Sequence, residues 1–297
     1  MKKAFAVVLV VLLPVSLFFV PVYCSQTTGL IFIREDGTIE GTNKIHRSGD
    51  TYVFSGDIEG CYGIIVEKSD ISIDGEGHTL KAVPRLLPLG SWDFGIELSN
   101  KTRGNVTVTN LRILDFNIGV YIWNKDNNVV DNTIIGGNVG VFLAESPNNV
   151  IRNYIKGNGE GIFLGPLPDT HPVVYNVVYQ NTFVNNTRQV YDCECTDPHT
   201  VQHLNVWDNG EVGNYWSEYN GTDADKNGIG DVPYSVSDDD TDFYPLMSPV
   251  ARQIGDNGFF GTGLPFEFGL VLLVGVVVAF LAVVYFVTKR KRSKNLG

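Results

Sequence analysis

Basic residues are scarce in this chain outside its two ends. Its 297 residues include 22 lysines and arginines against 33 aspartates and glutamates, and the terminal segments 1–24 and 266–297 hold seven of the basic residues and one acidic residue. The remainder has 15 basic and 32 acidic residues, a net charge near −17. A surface this acidic argues against nucleic acid or an anionic polymer as a partner, and it favours divalent cations or neutral glycans.

Each end of the chain carries an uncharged apolar stretch. Residues 1–24 have the three regions of a secretory signal peptide, with an uncleaved anchor or a lipid-modified Cys24 as alternatives. Residues 266–288 contain 21 consecutive uncharged residues, about 32 Å as a helix, which predicts one transmembrane helix. The basic tail at 289–297 orients the C-terminus to the cytoplasm. We therefore expect a single-pass protein of the cell membrane whose folded part lies outside the cytoplasm.

A short pattern recurs in the middle of the chain. Each copy is a glycine followed by alternating aliphatic side chains, and the copies begin at Gly95, Gly119, Gly140 and Gly161, which are 24, 21 and 21 residues apart. Alternation with period two indicates a short strand, and a repeat of this length is typical of one coil of a solenoid. Because so short a strand cannot bury its own apolar face, successive coils must stack about 4.8 Å apart.

Asparagine pairs spaced five residues apart alternate with these strands. The four pairs are Asn105/Asn110, Asn127/Asn132, Asn148/Asn153 and Asn176/Asn181. Stacking places like residues over like, so the pairs predict ladders in which asparagines hydrogen-bond to one another and to the turn backbone. We interpret these asparagines as structural rather than ligand-binding.

This pattern resembles the right-handed parallel β-helix of the NosD-like family, also described as carbohydrate-binding and sugar-hydrolase β-helix domains, over roughly residues 60–249. The resemblance is closest in the C-terminal part, where Trp207, Tyr215, Trp216 and Tyr244 are suited to cover the last coil. It implies an all-β fold: a right-handed parallel β-helix of about six coils with a C-terminal cap. The transmembrane helix predicted from the apolar run at 266–288 follows this fold. The expected boundaries are a capping region at 25–60, the helix at 61–200, the cap at 201–249 and a stalk at 250–265.

An outward-facing column of side chains is the predicted ligand-binding surface. Its members are Glu97, Tyr121, Phe142 and Phe163, with Tyr191 as a candidate fifth member and Trp123 close by. Aromatic faces at intervals of ~5 Å are able to bind sugar rings, so we predict a carbohydrate site at Tyr121, Trp123 and the two phenylalanines. The alternative is that the column packs on itself or beneath the apolar insertion at 82–94.

An acidic loop indicates a bound calcium ion. The oxygen ligands would come from Asp223, Asp225, Asn227, the Ile229 carbonyl and Asp231. This spacing matches the first nine positions of a calcium loop, but the twelfth position is a tyrosine, so the loop is not an EF-hand. The acidic run at 238–242 is a further source of ligands. A solvated turn without metal is the alternative.

A second metal site, for copper or zinc, is predicted from Cys193, Cys195, His199 and His203. The resemblance supports copper, because NosD proteins are associated with copper delivery to nitrous-oxide reductase. Cys61 lies about five coils away, on the order of 24 Å, which is too far for a disulfide to this pair. A tight disulfide between the paired cysteines, or free thiols, is the alternative.

The sequence lacks a complete catalytic set for polysaccharide cleavage. Polygalacturonase-like enzymes need clustered aspartates on adjacent coils with a histidine and an Arg-x-Lys, and this set is absent. The favoured interpretation is therefore a surface module that binds carbohydrate or a neighbouring cell-surface protein. The alternatives are a copper-handling accessory protein and a polysaccharide lyase or hydrolase. Four acceptor sequons, at Asn100, Asn105, Asn185 and Asn220, are consistent with an exported glycoprotein.

Overall fold

The computed structural model describes residues 29–83, 93–165, 173, 175–193 and 205–250, and every structural statement below refers to these residues. They contain strands, turns and bends but no helix. Within these ranges no helix is long and apolar enough to cross a membrane. The predicted signal peptide, the stalk beyond residue 250, the transmembrane helix and the basic tail lie outside the described residues.

Short strands account for the fold. In chain order they are β1 (Ile31–Ile33), β2 (Ile39–Glu40), β3 (Ile45–Ser48), β4 (Thr51–Phe54), β5 (Ile58–Cys61), β6 (Ile64–Val66), β7 (Ile71–Asp74), β8 (Thr79–Ala82), β9 (Phe94–Leu98), β10 (Val106–Thr109), β11 (Arg112–Leu114), β12 (Ile118–Ile122), β13 (Asn128–Val130), β14 (Thr133–Ile135), β15 (Val139–Leu143), β16 (Asn149–Ile151), β17 (Tyr154–Lys156), β18 (Glu160–Leu164), β19 (Val177–Tyr179), β20 (Thr182–Val184), β21 (Arg188–Asp192), β22 (Tyr215–Trp216), β23 (Tyr234–Ser235) and β24 (Thr241–Asp242).

The strands form three long sheets that together make a parallel β-helix. Sheet A has the order β2-β1-β6-β9-β12-β15-β18-β21, sheet B the order β19-β16-β13-β10-β7-β4-β3, and sheet C the order β22-β20-β17-β14-β11-β8-β5. Five consecutive coils, from β6 to β20, each contribute one strand to every sheet. The prediction of about six coils was therefore slightly too high. The coil before them is interrupted by the antiparallel strands β2 and β3, and the coil after them places only a single bridge, at Val206, in sheet B.

Glycine recurs in sheet A because neighbouring coils approach closely there. A Cβ atom added at Gly119 would lie 2.6 Å from the carbonyl oxygen of Gly140, and one at Gly140 would lie 2.5 Å from that of Gly161. The alternating aliphatic residues of the same strands, such as Val120 and Val141, point inward and are fully buried. The repeat in the sequence thus has two causes. Inward aliphatic side chains recur in each coil, and so do positions where the neighbouring strand leaves no room for a side chain.

Each coil turns its corners through single residues in the left-handed backbone region. The corner between sheets B and C is formed in successive coils by Asn110, Asp131, Arg152 and Gln180, whose φ angles lie between 55° and 58°. Asparagine, aspartate and glycine enter this region at the lowest cost, which explains why they separate the strands in the sequence.

Two long asparagine ladders run along the interior of the β-helix. The first ladder consists of Asn127, Asn148, Asn176 and Asn205, and the second of Asn132, Asn153, Asn181 and Asn214. In both, the Oδ1 atom of each asparagine accepts the backbone N–H of the asparagine one coil earlier, at 2.8 to 3.1 Å. The predicted structural role is confirmed for three of the four pairs.

The pair Asn105/Asn110 is not part of either ladder. Strand β10 aligns Thr107 with Asn128, so Val106 rather than Asn105 is level with Asn127. Both asparagines of this pair lie at corners with positive φ, and they bond to Asp70 and Asp74 on the surface side. The pair is one residue out of phase with the other three, because corner and ladder positions are adjacent and both favour asparagine.

A cap of aromatic rings closes the C-terminal end. Trp216 stacks on Phe183 of the last complete coil with ring centroids 4.6 Å apart, and Tyr234 stacks on Trp216 at 4.5 Å. Trp207 and Trp216 are almost fully buried, as expected for residues that cover the core, whereas Tyr244 is 36% exposed. The cap thus continues the apolar core beyond the last coil.

Candidate functional site

The predicted aromatic column is present on the outer face of sheet A. Tyr121 is level with Phe142, Phe142 with Phe163, and Phe163 with Tyr191 on successive strands. Their ring centroids are 4.6, 4.5 and 5.0 Å apart. Because alternate residues of these strands point into the core, the rings must lie on the opposite face of the sheet. The phase argument from the sequence is confirmed. We call these four residues the aromatic file.

The aromatic file belongs to an apolar cluster that is separate from the core. Ile118, Tyr121, Val139 and Ala144 are its buried members, and Phe94, Trp123, Phe142 and Phe163 pack on them while remaining partly exposed. An apolar cluster on the outside of a sheet is typical of a surface that contacts something other than water.

Most ring faces within the aromatic file are already covered. Phe142 and Phe163 stack on each other with only 21° between their planes, and the Arg188 guanidinium lies 4.9 Å above the Tyr191 ring. Tyr121 is only 5% exposed. The file therefore packs on itself, as in the alternative interpretation, and it presents ring edges rather than open faces.

Trp123 differs from the other rings in this cluster. Its ring centroid lies 4.5 Å from that of Tyr121, and it makes no other ring contact within the described residues. By register its neighbours on the adjacent strands are Ser99 and Ala144, which are too small to cover an indole. Trp123 is thus partly exposed, like Phe142 and Phe163, but only one ring within the described residues packs against it.

Glu97 lies in the same outward column as the aromatic file, and no role is predicted for it from the sequence. It belongs to β9 and is level with Tyr121 of β12. Burial raises the pKa of Glu97 above its ordinary value, and the indole N–H of Trp123 partly opposes this. That N–H faces the Glu97 carboxylate at less than ideal hydrogen-bonding geometry, and its Nε1 atom is inaccessible to solvent. Glu97 forms no ion pair within the described ranges.

The comparisons with known proteins identify the family. A family model described as periplasmic copper-binding protein (NosD) matches residues 36–221, which is more than half of the chain. The chain belongs to the NosD family. No curated protein and no solved structure matches it. The matched region includes all five regular coils, the aromatic file and the first part of the cap.

The NosD family is described as copper-binding, and the candidate copper site in this chain is the predicted cysteine and histidine site. Cys193 follows β21 and is disulfide-bonded, while Cys61 is free and buried. The two cysteines are therefore not paired with each other, as expected from their separation. A disulfide sulfur is not a thiolate ligand, so Cys193 in this state does not fit a copper or zinc site. Cys195, His199 and His203 lie outside the described residues.

The predicted calcium loop is not supported. Its carboxylates turn inward to the loop backbone: Asp223 accepts the N–H groups of Asn227 and Gly228 at 3.1 and 3.0 Å, and Asp231 accepts that of Ala224 at 2.8 Å. Within the described ranges no group of three or more acidic, histidine or cysteine side chains is placed to hold a metal ion. Asp225 likewise bonds to the backbone of Asn227. The turn is stabilised by its own hydrogen bonds.

Asp240 and Asp242, which follow the loop, form hydrogen bonds to buried groups of the cap instead. Asp242 is fully buried and accepts the backbone N–H of Asn214 and the indole N–H of Trp216, while Asp240 accepts the side-chain amide of Asn205. Neither carboxylate is available to complete a calcium shell at residues 223–231. This role could not be predicted from the sequence, because it depends on contacts with residues more than 25 positions earlier in the chain.

Proposed function

We propose that this NosD-family protein is a binding module for carbohydrate, with the outer face of sheet A as its binding surface. The observation that carries the proposal is the in-register aromatic file, which forms an apolar cluster outside the core. Sugar rings have apolar C–H faces that pack on an apolar surface such as a row of ring edges, and a stack of parallel coils holds these rings at fixed spacing. The acidic surface favours a neutral glycan over an anionic one.

The rigidity of the scaffold supports a binding role. Val120, Val141 and Ile162 lie directly beneath the file and are fully buried, and the strands that carry them are paired on both sides. Side chains on such strands lose little conformational freedom on binding, so a modest surface is able to bind specifically.

A glycan array probed with the full-length protein tests the proposal. We expect binding to neutral oligosaccharides, and we expect Phe163→Ala to weaken it at least tenfold because the substitution opens the file. Tyr154→Ala, which removes a partly exposed aromatic ring from sheet C, is the matched control and should bind as the wild type does. Absence of glycan binding, or equal losses in both variants, would refute the proposal.

A copper-handling role is the second candidate, because the family is named for copper binding. It requires reduction of the disulfide at Cys193 before that sulfur is able to act as a ligand. Titration with cuprous ion before and after reduction, in wild type and in Cys193→Ser, tests it. Copper binding should appear only after reduction and should weaken in the variant. Equal affinity in all four samples would remove Cys193 from any copper site.

We also infer that the module is anchored to the cell membrane, outside the cytoplasm, where a surface glycan or a neighbouring surface protein would be its partner. The apolar segment 266–288 and the basic residues after it support this topology. Protease treatment of intact cells should remove the β-helix while protecting a C-terminal tag. A C-terminal tag that is cleaved along with the β-helix domain would contradict the proposed orientation.

A further inference from the structure

We propose that the outer face of sheet C is a membrane-binding surface, on which Arg112 contacts the phosphate groups of anionic lipid headgroups. The inference rests on the membrane anchoring proposed above, and it adds the face of the β-helix that meets the lipid. Because the aromatic file lies on sheet A, it stays free for a glycan when sheet C is occupied.

The outer face of sheet C combines positive charge with aromatic side chains. Ile113, Ile134 and Ile155 of its strands are buried in the core, so the residues on either side of them point outward. The outward positions of this sheet hold three cations and two tyrosines but one carboxylate, although the protein as a whole is acidic. These residues are Lys81, Arg112, Lys156, Tyr154, Tyr215 and Glu59.

Arg112 is the cation on this face that lacks a partner. Its guanidinium forms no ion pair or hydrogen bond with any described residue. The Nε atom is inaccessible to solvent, but the two terminal nitrogens are not buried. Its neighbours by register, Thr79 and Thr133, carry no negative charge. Lys81, in contrast, lies 3.6 Å from Asp115. A guanidinium does not lose its charge, so the terminal nitrogens of Arg112 favour an external anion.

The chain leaves the β-helix from this same face. The backbone N–H of Val250 donates to Oγ1 of Thr182 at 3.1 Å, and Thr182 is level with the outward Tyr154. The predicted transmembrane segment begins at residue 266, and the stretch before it spans at most about 50 Å when fully extended. The tether therefore starts on sheet C, and it keeps this face near the lipid at a high effective concentration.

The side chains of this face suit a layer of lipid headgroups. Lysine and arginine are attracted to an anionic lipid surface, and a guanidinium is able to donate two parallel hydrogen bonds to one phosphate. Tyrosine favours the membrane–water interface because its ring is apolar and its hydroxyl is polar. An acidic protein would also attract the cations, but the path of the chain at Val250 favours lipid.

Lysine labelling of the full-length protein tests the surface. An uncharged amine reagent is applied in detergent, in nanodiscs of phosphatidylcholine, and in nanodiscs that also contain phosphatidylglycerol, and labelled lysines are quantified by mass spectrometry. Lys156 is exposed on this face and should react about fivefold or more slowly in the phosphatidylglycerol nanodiscs than in detergent. Lys125, exposed between β12 and β13, is the internal control and should react at one rate throughout.

A pair of arginine variants tests the role of Arg112. Arg112→Gln removes the charge and the paired donors, so the protection of Lys156 should shrink to about twofold or less. Arg103→Gln, at an exposed position between β9 and β10, is the matched control and should keep full protection. Raised salt should weaken protection in wild type, because it screens exposed charges. If Arg112→Gln does not fold, as judged by its melting temperature, the wild-type rates and their salt dependence still decide.

The outcomes separate this inference from the proposed anchoring. If the protein does not assemble into nanodiscs, the predicted transmembrane helix is wrong and the inference fails with it. If it assembles but Lys156 reacts equally fast in detergent and in both nanodiscs, the anchoring stands and the surface is wrong. If Lys156 reacts slowly in detergent as well, and faster in urea, protein rather than lipid covers this face and the inference is also wrong. Slow labelling that requires both phosphatidylglycerol and Arg112 supports it.

Discussion

The Oδ2 atom of Asp242 accepts the backbone N–H of Asn214 at 2.7 Å, which is the bond that a further asparagine would make in the second ladder. Every ladder asparagine accepts a backbone N–H of the coil before it with its Oδ1 atom, and each one except the last donates its own backbone N–H to the next asparagine of its ladder. The last member therefore needs another acceptor for its backbone N–H. A carboxylate meets that requirement.

The other ladders end in the same way. Asn205 of the first ladder donates its side-chain amide to Asp240 at 3.3 Å. A short third ladder of Asn158 and Asn186 continues through Gln189, which donates to Glu218 at 2.5 Å. All three ladders thus terminate on carboxylates of the cap, which gives Glu218, Asp240 and Asp242 a structural role.

Replacing the carboxylate of Asp242 by an amide should destabilise the cap. Both oxygens of Asp242 accept backbone N–H groups, one from Asn214 and the other from Tyr244. In Asp242→Asn the side-chain N–H₂ replaces one of these oxygens, so it would face a backbone N–H, and two donors would meet. We expect the free energy of unfolding to fall by about 1–3 kcal/mol, measured by urea denaturation. Asp238→Asn, an exposed carboxylate in the same run, is the control and should be neutral. Equal effects in the two variants would contradict the terminator role.

The pH dependence of stability tests the same residue independently. Burial raises the pKa of Asp242 above its ordinary value of 3.8, although hydrogen bonds from Asn214 and Trp216 oppose the shift. The folded protein therefore holds this proton to higher pH than the unfolded chain does. The resulting stability is fully present below pH 3.8 and is lost as pH rises through the raised pKa.

We expect the stability of wild type relative to Asp242→Asn to decline above pH 3.8 and then level off, when unfolding by urea is measured at a series of pH values. A stability difference that grows with pH would show that the hydrogen bonds outweigh burial at this carboxylate.

The coils and their register could be predicted because a stacked solenoid converts sequence period into spatial alignment. Tyr121, Phe142 and Phe163 are 21 residues apart, and they are neighbours in space for that reason. The same argument failed for Asn105 and Asn110, because a corner residue and a ladder residue differ by one position and favour the same amino acid. The sequence repeat therefore predicts which residues stack only where a single position of the repeat, and not its neighbour, favours that residue type.

The candidate site was predicted less completely. Sequence period places Phe142 and Phe163 on one face but does not set their side-chain torsions, so it could not show that their rings cover each other. The approach of the Trp123 N–H to Glu97 also depends on rotamers. The role of Asp242 depends on how the end of the cap folds back onto Asn214 and Trp216, which no local pattern encodes.

An aspartate in the middle of a ladder should be far more harmful than one at its end. The Nδ2 atom of Asn153 donates to the carbonyl oxygen of Val129 at 2.7 Å and to Oδ1 of Asn181 at 3.0 Å. Asn153→Asp would place a buried charge against these two acceptors. We expect a loss of about 3 kcal/mol or more, or failure to fold, measured by urea denaturation. Asn138→Asp, at an exposed position of the same β-helix, should cost under about 1 kcal/mol, and similar losses at both sites would refute the argument.

The thiol of Cys61 should be almost unreactive in the folded protein. Its side chain is buried, and desolvation raises its pKa to about 11. Only about one thiol in a thousand is then ionised near pH ~8, and the ionised form is the reactive one. We expect slow labelling by a thiol reagent in native buffer and rapid labelling in urea, with the difference abolished in Cys61→Ser. Rapid labelling of the native protein that disappears in this variant would show that Cys61 is accessible.

Adding one methyl group in sheet A should separate two coils. A Cβ atom at Gly140 would lie 2.5 Å from the carbonyl oxygen of Gly161 and 2.8 Å from Cγ2 of Ile155, and the former is backbone of the neighbouring strand. We expect Gly140→Ala to lower stability by about 1–3 kcal/mol, read as a fall in melting temperature, because β15 and β18 must move apart. Gly29→Ala, where an added Cβ meets nothing within 4 Å, is the matched control. If Gly140→Ala melts no earlier than Gly29→Ala, the close approach of the coils does not explain why glycine recurs every 21 residues at this position.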